Sequence, residues 1–187
     1  MTDCWIAPNS LFDGQDIVHG QAVRIVDGRI TEIAKTPDSA VRIKGCLTPG
    51  FVDLQVNGGG GVMLNTTPMR SGMADIAAAH RTFGTVAVMP TVITDHWAVL
   101  EQAADAAIAA KGDDGIIGLH IEGPHISVAR RGTHNAIHVR PMDDRTLNVV
   151  EALRRHDIAV MITIAPEAIT HDQIAALVRM GAVVSIG

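Results

Sequence analysis

From residue 48 onward, apolar runs of strand length alternate with segments of helical composition, and this grammar restricts the fold more than any other feature. The runs begin near residues 51, 86, 116, 159 and 183, at steps of 35, 30, 43 and 24 residues. Each step is the length of one strand–helix unit. Residues 71–83 are helical in composition and stop at Gly84, residues 95–110 form an alanine-rich helix with Thr94 or Asp95 as N-cap, and residues 143–155 form a third helix. Thr170-His-Asp-Gln173 is a capping box that opens a fourth helix, ended by Gly181. Pro90 interrupts the second run, because proline donates no ladder hydrogen bond. Such alternation implies a parallel sheet with helices outside it. Two closures satisfy the pattern: an open doubly wound sheet or a (β/α)8 barrel. A barrel takes about 200 to 250 residues. Residues 48–187 supply four units and a fifth strand. The expected fold class is therefore α/β, with a partial (β/α)8 TIM barrel over 48–187.

Residues 1–47 follow a different period. Ala22-Val-Arg-Ile-Val26 and Arg29-Ile-Thr-Glu-Ile33 flank Asp27-Gly28. Alternating apolar residues around Asp-Gly are a strong hairpin signal, because the turn needs positive φ at both positions. Trp5-Ile6 and Val41-Arg-Ile43 are further short strands. This segment is expected to form the N-terminal part of a small β-sandwich, too short to close one alone.

Composition removes several function classes. With 15 Lys plus Arg against 20 Asp plus Glu, the net charge is -5, which argues against a nucleic-acid or membrane-surface partner. Aromatics are 3% and tyrosine is absent, so recognition of sugars or bases by stacking platforms is disfavoured. The two cysteines, Cys4 and Cys46, make neither a disulfide scaffold nor a metal pair by spacing. No apolar run is long enough to span a bilayer and no leader pattern opens the chain. The expectation is a soluble protein of a reducing compartment, the cytoplasm.

In a parallel barrel, chemistry sits at the C-terminal ends of the strands and in the loops that follow. Three places there carry reactive groups. In Asp53-Leu-Gln55-Val-Asn57, followed by four glycines, period 2 puts Asp53, Gln55 and Asn57 on one face. The residues read as a polar barrel layer closed by a flexible turn, since the lysine and hydroxyl residue of a phosphate-binding loop are missing. In His120-Ile-Glu122-Gly-Pro-His125, Glu122 ends an apolar strand, where a carboxylate is costly to bury unless paired or metal-bound. Type alone leaves Glu122 open between a zinc ligand and a cap on the next loop. The third place, residues 123–141, is long for a strand-to-helix loop and carries Arg130, Arg131, Thr133 and His134. His134 is placed to donate to a carbonyl. His19, His80, His96, His156 and His171 read as surface residues.

The segments Leu47-Thr-Pro-Gly-Phe-Val-Asp-Leu-Gln-Val-Asn-Gly58, Gly118-Leu-His-Ile-Glu-Gly-Pro124, Arg131-Gly-Thr-His-Asn135 and Thr163-Ile-Ala-Pro-Glu167 occur in this order. In these the chain resembles the N-acetylglucosamine-6-phosphate deacetylase family of the amidohydrolase superfamily. The resemblance implies hydrolysis of the acetamide of N-acetylglucosamine 6-phosphate to acetate and glucosamine 6-phosphate. It implies a divalent metal, zinc being the usual one, that activates water. By position it makes Glu122 a metal ligand, and Thr133 and His134 substrate contacts with His134 polarising the carbonyl. Gln55 and Asn57 stand where other amidohydrolases place a His-x-His pair for a second metal; neutral amides are poor zinc ligands, so one metal is expected.

The same resemblance places two further metal-ligand histidines and a catalytic aspartate beyond Gly187. His125 stands where the family carries an aromatic residue. The chain therefore reads as the first half of such an enzyme, inactive alone. An amino-sugar phosphate is the expected small-molecule partner, and a homo-oligomer, a dimer, is the expected assembly. The alternatives are a non-catalytic half-barrel that self-associates, and another amidohydrolase such as a cyclic-amide hydrolase.

Overall fold

A computed structural model describes residues 2–187. The chain divides into two units, Met1–Gly50 and Phe51–Gly187.

The first unit is built from seven short strands: β1 (Asp3–Ala7), β2 (Ser10–Phe12), β3 (Ile17–Val18), β4 (Gln21–Val26), β5 (Arg29–Lys35), β6 (Val41–Arg42) and β7 (Cys46–Leu47). They form a four-stranded sheet ordered β5-β4-β1-β6 and a three-stranded sheet ordered β3-β2-β7. The hairpin is where the sequence places it. β4 pairs with β5 antiparallel, and Asp27 (φ 47°) and Gly28 (φ 76°) both take the left-handed conformation that the tight turn requires. Ala22 and Val23 are buried within this unit.

The second unit contains β8 (Phe51–Val56), β9 (Gly58–Gly59), β10 (Val62–Met63), α1 (Arg70–Arg81), β11 (Thr85–Ile93), α2 (Trp97–Ala109), β12 (Leu119–Glu122), α3 (Asp144–Arg155), β13 (Val160–Ile164), α4 (His171–Arg179) and β14 (Val183–Ile186). The five long strands form one sheet ordered β14-β13-β12-β11-β8, and every neighbouring pair is parallel. Spatial order equals chain order. A doubly wound sheet reverses its order at a switch point, so this is the winding of a half-barrel. Leu119, Ile121, Ile162 and Ile164 from the strands meet Met73, Ile76, Leu100, Leu153 and Leu177 from the helices in one buried cluster. At about 25 cal/mol per Å² of apolar surface removed from water, each such side chain contributes about 1.5–3 kcal/mol. Among the described residues, no helix is long and apolar enough to cross a membrane.

Three local expectations are corrected. β11 runs unbroken through Pro90, because a register shift against β8 between Val88 and Pro90 absorbs the missing donor. β12 starts at Leu119, not at residue 116, and Ile116 contributes an isolated bridge to Val88. α2 has His96 at its N-cap position with no side-chain cap, so neither Thr94 nor Asp95 serves that end. The capping box at Thr170 forms as read, with Thr170 and Gln173 bonding reciprocally.

Candidate functional site

The C-terminal ends of adjacent strands bring the polar residues together. Ile93 on β11 is level with Glu122 on β12, and Glu122 is level with Thr163 on β13. Asn57 follows β8 and Thr94 follows β11. In-register parallel strands therefore place Asn57, Thr94, Glu122 and Thr163 along one rim, where this class of sheet binds ligands. The Glu122 side chain is 20% exposed. Asn57 Nδ2 donates to Glu122 Oε2 at 3.5 Å.

The loop 123–141 folds back over this rim. It contains two 3-10 turns, Val128–Arg130 and Ala136–His138. Arg131 braces the loop: its Nη1 donates to the carbonyl of His134 at 3.0 Å, while His134 N donates to the Arg131 carbonyl at 3.1 Å. Arg131 is thus engaged with its own loop. Arg130 stands near Glu167, whose carboxyl is held below its usual range chiefly by a backbone hydrogen bond and by the Ser127 hydroxyl.

His134 is buried, with its Nδ1 2.7 Å from Thr94 Oγ1 and its Nε2 3.8 Å from Glu122 Oε1. Thr94 Oγ1 also lies 3.5 Å from the Glu122 carbonyl. The Thr94 hydroxyl thus bridges His134 Nδ1 and the Glu122 backbone carbonyl, and Nε2 is the ring nitrogen on the side of the Glu122 carboxylate.

His120 forms a second, deeper relay. The Thr91 hydroxyl donates to the Met89 carbonyl at 3.1 Å, so at 3.3 Å it accepts from His120 Nδ1, and His120 Nε2 accepts from Thr163 Oγ1 at 2.8 Å. Burial pushes the His120 pKa down and keeps the ring neutral. Both relays rest on threonines: from sequence Thr94 reads as a helix cap, Thr163 opens one of the resembling segments, and Thr91 carries no signal.

Glu122, Thr133 and His134, the three residues singled out from sequence, line one cleft of about 810 Å³ together with Ser127, Arg130, Arg131, Thr163 and Glu167. Asp53, Gln55 and Asn57 separate: Asp53 Oδ1 accepts from Gln55 N at 3.1 Å, Gln55 is exposed, and Asn57 alone turns to Glu122. His80, read as a surface residue, is half-buried, because its Nε2 meets the Gly58 carbonyl at 3.0 Å under the glycine turn. His125 is fully buried between the Arg140 carbonyl (2.9 Å) and Thr146 Oγ1 (2.8 Å), away from the cleft.

The donor set at Glu122 does not complete a metal site. Catalytic zinc takes about three protein donors. Among the described residues, no group of three His, Cys, Asp or Glu converges on Glu122. One carboxylate and the nearby His134 imidazole are what this chain brings to that place.

The chain is similar to known proteins in sequence and in fold. No family model matches the chain. It is 47% identical over 146 residues to N-acetylgalactosamine-6-phosphate deacetylase of Shewanella sp., covering 76% of this chain and 36% of that protein. It is 31% identical over 192 residues to human N-acetylglucosamine-6-phosphate deacetylase, covering 99% of this chain and 44% of that protein. The crystal structure of N-acetylglucosamine-6-phosphate deacetylase from Pasteurella multocida superposes with a TM-score of 0.90 at 26% identity, over 100% of this chain and 51% of that one. A Mycobacterium smegmatis deacetylase mutant in complex with N-acetyl-D-glucosamine-6-phosphate gives 0.87 at 26% identity, over 100% and 50% of the two chains. In sequence and in fold, the chain belongs to the N-acetylglucosamine-6-phosphate deacetylase family and spans about half or less of the length of the relatives it matches.

Proposed function

We propose that this chain carries the acetamide-binding side of a hydrolase site that converts an N-acetylhexosamine 6-phosphate to acetate and the free amino-sugar phosphate. The observation that supports this reading most is the convergence of Glu122, Thr133 and His134 on one cleft. His134 is the carbonyl-polarising residue in this reading. With Nδ1 on Thr94, Nε2 is the nitrogen left to donate to an acetamide oxygen that enters between it and Glu122. Such a donor strengthens its bond as negative charge develops on that oxygen, and one donor of this kind is typically worth about 10²–10³ in rate. Thr133 contacts the sugar from the exposed face of the loop. Glu122 is one donor to a divalent, zinc-class ion whose remaining donors belong to the part of the relatives that this chain does not span. The proposed architecture is the first half of a (β/α)8 barrel over residues 48–187, with residues 1–47 as the N-terminal portion of a small β-sandwich. On this reading the 187 residues bind substrate without turning it over, in the cytoplasm and as a dimer.

The more identical relative bears the galactosamine name and the more distant ones the glucosamine name. Both 4-epimers therefore belong in the test. Histidine ring resonances of the chain are followed by NMR while N-acetylglucosamine 6-phosphate, N-acetylgalactosamine 6-phosphate and glucosamine 6-phosphate are added in turn. The N-acetylated sugars are expected to shift the His134 resonance, glucosamine 6-phosphate to leave it in place, and no acetate to appear. Absence of a shift with both N-acetylated sugars overturns the substrate class; release of acetate overturns the incompleteness of the site.

A further inference from the structure

A second group of donors lies outside the cleft. Asp95 and His96 follow β11, and His138 ends the second 3-10 turn of the loop 123–141. One ligand atom from each of Asp95, His96 and His138 lies within 4.8 Å of the other two. The His96 and His138 rings sit 4.1 Å apart at 57°, and His138 Nε2 is 4.0 Å from Asp95 Oδ1.

Three features show that this convergence is built. First, Asp95 is oriented: Asn65 Nδ2 donates to its Oδ2 at 2.9 Å, and His96 N donates to its Oδ1 at 2.7 Å. Asn65 is itself fixed, because its Oδ1 accepts from Ile93 N at 3.0 Å. Second, the two segments are tied through one guanidinium. Arg140 Nη1 donates to the Asp95 carbonyl at 3.1 Å and to the His138 carbonyl at 2.7 Å, while its Cζ lies 4.1 Å above the Trp97 ring. Third, Asp95 does not cap α2, the local role its position suggested, since that helix end has no side-chain cap. The carboxylate faces the two imidazoles and not the helix. Hydrogen bonding from Asn65 and His96 N outweighs its burial and keeps it ionised.

We propose that Asp95, His96 and His138 bind one transition-metal cation of the zinc class, at a site separate from Glu122. Two imidazoles and one carboxylate are a borderline-soft donor set that suits zinc, cobalt or nickel and not calcium or magnesium. Donors on one tetrahedral zinc stand about 3.4 Å apart for metal–ligand lengths of about 2.0–2.1 Å. The present spacings, 4.0 Å for His138 Nε2 to Asp95 Oδ1 and no more than 4.8 Å for any pair, have to shorten to that value when the ion binds. The Asn65 contact to Asp95 is the outer-shell hydrogen bond that orients a ligating carboxylate. The ion would clip the segment that starts α2, whose neighbour Thr94 holds His134, to the loop that carries Thr133 and His134. Its role is to fix that loop. The proposal stands independently of the deacetylase reading.

Binding is tested on the full 187-residue chain with zinc alone and with cobalt alone. The chain is dialysed against each ion, the bound metal is counted by elemental analysis, and the cobalt d–d absorption reports coordination. One ion per chain is expected, with a fourfold or higher coordinate cobalt spectrum. His96→Ala, at an exposed position, is expected to lower affinity at least tenfold with an unchanged circular dichroism spectrum. Asp95→Asn, which keeps the hydrogen bond from His96 N and loses the charge and the Asn65 contact, is expected to do the same. Glu122→Gln is expected to retain the ion. No stoichiometric binding by the unaltered chain overturns the proposal, as does binding that survives His96→Ala or disappears with Glu122→Gln. The last outcome would leave the Glu122 reading standing, so the two assignments fail separately.

Discussion

Thr94 Oγ1 lies 2.7 Å from His134 Nδ1 in a buried contact that joins the end of β11 to a residue forty positions later. The hydroxyl holds the ring through that nitrogen. Thr94→Val keeps the shape and removes the partner. Leaving one buried partner unsatisfied costs about 1–3 kcal/mol. Urea unfolding is expected to show that loss, and the ring resonances of His134 are expected to shift by NMR. Unmoved resonances would show that Glu122, not Thr94, orients the ring.

Gly123 has φ 75°, and a Cβ placed there would collide with Thr94 Oγ1. Gly123→Ala therefore adds backbone strain to a clash with the residue that holds His134. Strain of this kind is typically worth about 1–3 kcal/mol. The expected result is a lowered Tm together with a shifted His134 resonance. A stable variant with an unmoved resonance would mean that the loop tolerates displacement at its first residue.

His125 gives the fold a pH dependence. Burial lowers its pKa below the ordinary 6.5, so the folded state favours the neutral ring. The unfolded chain binds the proton near 6.5, and the folded chain only at lower pH. This contribution to stability is complete above the unfolded value and is lost as pH falls below it toward the depressed folded value. Urea midpoints measured between pH 7.5 and about 5 should fall, and His125→Phe should reduce the slope. Equal slopes in the two proteins would assign the pH dependence to other groups.

The parallel sheet has two open edges, β8 and β14. Phe51 and Val52 on β8 are 64% and 58% exposed, and Val183 and Ile186 on β14 are both 62% exposed. Unpaired strand edges bearing apolar side chains template association. Light scattering after gel filtration is expected to give a mass that is a multiple of 19.8 kDa and rises with concentration. A monodisperse monomer across a wide concentration range would show that the edges are blunted in solution.

Much of the architecture was legible in the chain because its signals are local. The Asp27-Gly28 hairpin, the Thr170 capping box and the strand–helix alternation depend on residues within a few positions of one another. Pro90 misled because its cost depends on the partner strand: a register shift against β8 lets β11 continue through it. His80 misled for a similar reason, since the Gly58 carbonyl that half-buries it is 22 residues away.

The sequence by itself determined the alternation of strands and helices and singled out Glu122, Thr133 and His134, because type, spacing and motif are properties of the chain. Only the tertiary structure decided what these residues meet. In-register parallel pairing set Ile93, Glu122 and Thr163 level, and the loop brought His134 onto Thr94. The same folding turned Asp95 away from its helix and toward His96 and His138. Contacts between residues tens of positions apart depend on where the backbone carries them, and that path is fixed by the packing of the whole sheet and its helices.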